Sequence, residues 1–112
     1  MKEAGAFRVV LVTAGSEDEA SKIARSLVEE RLAACVNIVP GVRSIYRWQG
    51  AVEDESEVLL LIKASADSLE DLEKRVRALH SYEVPEILAL PIDRGSEAYL
   101  AWLGENLGGE GG

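Results

Sequence analysis

The chain has 112 residues, close to half of them apolar, and a formal net charge of -8. That length fits one domain able to bury roughly two thirds of its unfolded surface, and the apolar content excludes a disordered chain. The negative balance excludes the basic stripe of a nucleic-acid binder and the polybasic patch that holds a protein to an anionic membrane.

The first six residues carry no apolar run, and no stretch is long enough to span a bilayer, so neither a signal peptide nor a membrane segment is expected. Residues 7–13 are apolar and β-branched and read as a buried strand. Ser16 with Glu19 is a capping-box pattern, and Ala20, Ile23, Ala24, Leu27 and Val28 follow at helical spacing, which predicts a helix over about 16–31. Strand signals return at Ala33 and run, with an interruption at Pro40-Gly41, to Trp48; Gln49-Gly50 reads as a turn. Residues 58–62 form a third, continuously apolar strand. Asp67 with Glu70 repeats the capping pattern, and Leu69, Leu72, Val76 and Leu79 mark a second amphipathic helix. Pro85 disfavours helical backbone at Val84, so that helix must stop earlier. Residues 86–92 give a fourth strand, placed at a sheet edge because Pro91 has no N–H to donate. Ser96 opens a last short helix, and residues 108–112 read as a flexible Gly-rich tail after a single domain over 1–107.

The order βαββαβ plus a C-terminal helix is that of an α+β, ferredoxin-like sandwich. The first and third strands are the most continuously apolar and belong at the centre of the sheet. Residues 33–48 are too long for such a sandwich: as a strand they would reach about 50 Å, against about 24 Å for the first helix. A long hairpin between the second and third strands should therefore project beyond the helices. Tyr46 and Trp48 share one of its faces, and aromatic residues exposed there point to contact between subunits.

Chemistry concentrates in His80-Ser81-Tyr82-Glu83-Val84-Pro85-Glu86, which holds the only histidine. Imidazole and carboxylate bind metals or move protons near neutral pH. His80, Glu83 and Glu86, three residues apart in turn, are the candidate metal ligands, in a site that another subunit could complete; the alternative is a histidine ending a helix, with Glu83 paired to an arginine. Cys35 is the only cysteine, so no intramolecular disulfide forms and a reducing, cytoplasmic setting fits. It is either a thiol ligand or a buried structural residue, and Arg31 is the nearest cation in sequence. Glu53, Asp54, Glu55 and Glu57 lack the glycine-anchored spacing of a calcium loop and are expected to pair across strands with Arg43 and Arg47. No nucleophile elbow or phosphate loop is present, so no enzyme is indicated.

Leu32-Ala33-Ala34-Cys35-Val36-Asn37, Ser44-Ile45-Tyr46-Arg47-Trp48-Gln49-Gly50 and the 80–86 segment occur in the order found in the CutA1 divalent-cation tolerance family, and Gly95, Tyr99 and Trp102 fit it too. The resemblance covers about residues 7–107. It implies a ferredoxin-like homotrimer similar to the PII signalling proteins, and a non-enzymatic part in tolerance of copper and other divalent metals. A bound Cu or Zn ion is then expected as an optional partner, held weakly or between subunits. Some bacterial members carry a cysteine in the first strand and a second histidine before the one matching His80; here these are Val12 and Leu79. The resemblance also implies clefts between subunits, which Tyr46, Trp48, Lys63, Tyr82 and Glu83 would line, for a small-molecule or protein ligand.

Overall fold

A computed structural model describes residues 1–108. The elements are β1 (Lys2–Glu3), β2 (Phe7–Ala14), α1 (Glu17–Glu29), β3 (Cys35–Trp48), β4 (Ala51–Ser65), a 3-10 turn (Ala66–Ser68), α2 (Leu69–Leu79), β5 (Ile87–Pro91), β6 (Arg94–Gly95) and α3 (Glu97–Glu105). The main sheet is antiparallel in the order β3-β4-β2-β5. This is the expected ferredoxin-like sandwich, with β2 and β4 central and Pro91 on the edge strand β5. Most of the tail predicted for 108–112 lies outside the described residues.

Side chains alternate across a strand with period two, and both faces of this sheet are apolar. Val10, Val12, Ala14, Leu60 and Ile62 point to one side and pack against Ile23 and Leu27 of α1 and Leu72 and Val76 of α2. The intervening residues Val9, Leu11, Leu59, Leu61, Leu88 and Leu90 must point to the other side, where Leu88 stays 55% and Leu90 47% exposed. A second, smaller cluster joins Leu100 and Leu103 of α3 to Ala4 and Ala34.

The helix termini depart from the sequence pattern in informative ways. Ser16 caps α1 as expected, its Oγ accepting from Glu19 N–H at 3.2 Å. The helix stops at Glu29 and not near Arg31, because Arg31 turns left-handed at φ 61°. Its guanidinium then donates to the carbonyls of Glu105 and Gly108, both at 2.7 Å, which ties the end of α1 to the end of α3. The Asp67 cap does not form: a 3-10 turn intervenes, α2 begins at Leu69, and the hydroxyls of Ser65 and Ser68 pair at 2.8 Å. Strands β1 and β6 pair over two residues only, too short to leave a periodic signal.

The hairpin overhangs as expected. Ala14↔Val58 is the last β2–β4 pair, whereas β3 and β4 continue pairing from Val42↔Glu57 out to Trp48↔Ala51. The register shifts between Val39 and Val42, at Pro40-Gly41, where Gly41 has φ 75°. At the tip Gln49 and Gly50 both have positive φ, 49° and 83°, the turn whose twist matches a two-residue hairpin. The overhang leaves Ile45, Tyr46, Trp48 and Val52 exposed in the protomer and contributes to an elongated molecule of 46 × 28 × 22 Å.

Candidate functional site: an acidic, aromatic cleft under the hairpin

The 80–86 segment leaves α2 in extended backbone and folds over the junction of β2 and α1. His80 is 9% exposed. Its Nε2 lies 2.7 Å from the carbonyl oxygen of Thr13, and Nδ1 accepts from Tyr82 N–H at 3.0 Å. That pattern assigns the proton to Nε2, which donates to Thr13. Thr13 is one residue beyond Val12↔Ile87, the last pair of the β2–β5 ladder. The imidazole thus supplies a backbone carbonyl with a donor where the strand partner has ended.

Glu19 secures the other side of the segment. Its Oε1 accepts from Gly15 N–H at 3.1 Å and its Oε2 from Ser81 N–H at 2.7 Å. Burial pushes this carboxyl up, yet the hydrogen bonds from Ser81 and Gly15 outweigh it and leave the pKa below its ordinary value. The Tyr82 ring lies 4.7 Å from the His80 ring at a tilt of 51°. Its hydroxyl donates to Glu57 Oε2 at 2.9 Å. Burial first, then the hydrogen bond and charge of Glu57, push the Tyr82 phenol up to about 12. Gly15 permits a close approach here: a Cβ would stand 3.3 Å from the Tyr82 hydroxyl, so the ring would have to give by a few tenths of an ångström.

Between this segment and the base of the hairpin lies a cleft of about 770 Å³. Tyr46, Trp48, Glu55 and Glu57 form the hairpin wall, and Tyr82, Glu83 and Glu86 the opposite one. No lysine or arginine lines it. Burial, followed by the charges of Glu55, Glu57 and Glu53, raises the Tyr46 phenol, so both phenols stay neutral and every charge in the cleft is negative.

Of the residues singled out in the sequence, the structure brings Tyr46, Trp48, Tyr82, Glu83 and Glu86 together and leaves three out. His80 is buried beneath the cleft with both ring nitrogens engaged. Lys63 lies beside Val9 in the sheet and donates to the Asn37 side chain, away from the cleft. Cys35 pairs in register with Lys63 and meets the Tyr99 hydroxyl, which burial and then the thiol itself push up in pKa. The four-residue step along β2 from Val9 to Thr13 puts Cys35 and His80 at sheet levels about 13 Å apart. Among the described residues no three His, Cys, Asp or Glu side chains converge on a metal position within one protomer. Arg43 pairs with Asp54 through two hydrogen bonds of 2.8 and 2.6 Å, as expected for the acidic cluster; Glu57 instead takes Tyr82. Glu19, Gly15 and Thr13 were not legible as site residues. Glu19 shows in sequence only as a helix-capping residue, and its partner Ser81 is 62 positions away.

No helix among the described residues is long and apolar enough to cross a membrane. The family described as CutA1 divalent ion tolerance protein matches residues 8–106. A divalent-cation tolerance protein CutA from Thermus thermophilus is 60% identical over 100 residues, covering 89% of this chain and 97% of that one. Human protein CutA is 46% identical over 99 residues, covering 88% of this chain and 55% of that one, so the chain spans about half the length of that relative. The solved Thermus thermophilus Cut A1 structure superposes with a TM-score of 0.89 at 59% identity, over 91% of this chain and 99% of that one. The Oryza sativa CutA1 structure gives 0.91 at 42% identity, over 96% and 98%. A family match over residues 8–106, a relative at 60% identity and close superposition on solved structures agree: the chain belongs to the CutA1 divalent ion tolerance family.

Proposed function

We propose that this chain is a non-enzymatic, homotrimeric component of divalent-cation tolerance, working in a reducing, cytoplasmic setting through the cleft under its hairpin. The observation that carries the reading is the gathering of Glu55, Glu57, Glu83 and Glu86 around one space without a basic residue. Such a space favours cations, and carboxylates without imidazole or thiolate hold them weakly. Cu(II) and Zn(II) are the ions to test, with Glu83 and Glu86 as ligands that a neighbouring subunit would complete. His80 serves this site by fixing the backbone from which Tyr82 and Glu83 project.

Calorimetric titration of Cu(II) and Zn(II) into the native protein, Glu83→Gln with Glu86→Gln, and His80→Gln tests the assignment. Weak binding that survives His80→Gln and disappears in the double carboxylate variant is expected. Loss in a folded His80→Gln protein would return the site to the imidazole.

A second reading, a sensor similar to the PII proteins, is favoured by the aromatic half of the same cleft. Tyr46, Trp48 and Tyr82 are more surface than a bare ion needs, and the volume matches that of small-molecule sites.

A further inference from the structure

The cleft combines three properties that together narrow what fits it. Its charges are all negative, its walls carry three aromatic rings, and one of its carboxylates keeps an oxygen without a protein partner among the described residues. Glu57 is 7% exposed. Only Oε2 is engaged, by the Tyr82 hydroxyl, and among the described residues Oε1 accepts no hydrogen bond and no lysine or arginine pairs with the group. A buried carboxylate is ordinarily matched by a cation, because burial removes the water that would otherwise stabilise it. Among the described residues no cation pairs with Glu57, and because no buried side-chain oxygen is left unsatisfied, its free Oε1 stays open to solvent and to a ligand.

A hydrated divalent ion would use the carboxylates and leave the rings of Tyr46 and Trp48, 42% and 49% exposed, without a partner. A lysine-like or quaternary ammonium uses both. Its charge is attracted by carboxylates and by the faces of aromatic rings, and its methylene or methyl groups cover apolar surface. The gap is also wide enough for more than an ion, at about 770 Å³.

Resting on the small-molecule reading of this cleft, we propose that it is a binding site for an organic cation, an alkyl- or arylammonium, with Trp48 and Tyr46 against its apolar body and Glu57 and Glu83 facing its charge. Trp48 sits on the hairpin wall, and so reports occupancy directly.

The test is a fluorescence and calorimetric titration of the folded protein with benzyltrimethylammonium, benzyl alcohol and benzoate. A Trp102→Phe background removes the second tryptophan, which lies on α3 outside the cleft. Saturable binding of the cation is expected, about tenfold tighter than that of the alcohol, with none for the anion. Glu83→Gln, an exposed change that leaves the fold intact, should weaken the cation about fivefold and leave the alcohol unchanged. Equal binding of all three probes, abolished by Trp48→Ala, would overturn cation recognition while keeping a small-molecule cleft. No binding of any probe would overturn both. Displacement of the bound cation by Zn(II) would place the two cations on the same carboxylates, whereas a cation response unaffected by both Glu83→Gln and Trp48→Ala would place the probe elsewhere and overturn the proposal.

Discussion

Both hydrogen bonds of His80 require the neutral ring, because Nδ1 must keep a lone pair for Tyr82 N–H while Nε2–H serves Thr13. Truncation leaves a buried carbonyl and a backbone N–H without partners, and each such group costs about 1–3 kcal/mol. His80→Ala is therefore expected to lose about 3 kcal/mol of stability, read from denaturant unfolding at one fixed protein concentration. A loss under about 1 kcal/mol would mean that water replaces the ring without penalty. Tyr82 makes a prediction at the alkaline end. Its folded pKa of about 12 lies above that of a free phenol, so the folded state holds the proton more tightly. The stability this contributes is complete below about pH 10 and is lost as pH rises from about 10 to about 12. Phenolate absorbance against pH should show one tyrosine titrating near that upper value, moving down in Glu57→Gln. An unmoved titration would detach the shift from Glu57.

At the scale of elements, Arg31 makes opposing contributions in one residue. Left-handed backbone costs a residue with a Cβ about 1 kcal/mol, a cost glycine avoids. The guanidinium offsets this by capping the carbonyls of Glu105 and Gly108. Arg31→Ala keeps the strain and loses the cap, whereas Arg31→Gly loses both, so the alanine variant should be less stable than the glycine variant by about 1 kcal/mol. Both should fall below the native protein, and amide exchange should increase first in α3. If the glycine variant equals the native one, the clasp contributes nothing. Such a residue also shows where sequence reading ends. The periods of 2 and 3.6 made β2, β4, α1 and α2 legible, and the length of residues 33–48 alone implied the overhang. Helix ends were less legible, because Arg31 ends α1 with a side chain that reaches the end of α3, and a 3-10 turn displaces the expected start of α2. The site divided the same way. Residue type led to His80 and Tyr82, while Glu19 and Glu57 gain their roles only from contacts 62 and 25 positions away.

In the whole molecule, α1 and α2 cover one face of a sheet whose two faces are both apolar. Leu88 and Leu90 on the edge strand, and Val39 across the sheet, are left 55%, 47% and 39% exposed. Full burial of one such side chain is worth about 1.5–3 kcal/mol, so each holds roughly half that gain in reserve for association. The overhanging hairpin adds Ile45 and Val52, 63% and 65% exposed, and two strand edges that pair with no further strand among the described residues. A sheet face and a projecting ribbon in one chain suit a closed ring of copies: the faces meet around the axis while each ribbon reaches a neighbour, so no sticky surface is left over. The homotrimer proposed above therefore predicts the mass of three chains by light scattering at micromolar concentration. Leu88→Glu with Leu90→Glu would place carboxylates on the shared face, where six would crowd one axis in a trimer. These changes should reduce the mass to that of one chain and lower the melting temperature, with the secondary structure retained because neither leucine belongs to the core between sheet and helices. A native mass of one or two chains would sink the trimer. A double variant that stays trimeric would move the interface from the sheet face to the hairpin, since only the ribbon contacts would then remain to hold three copies together.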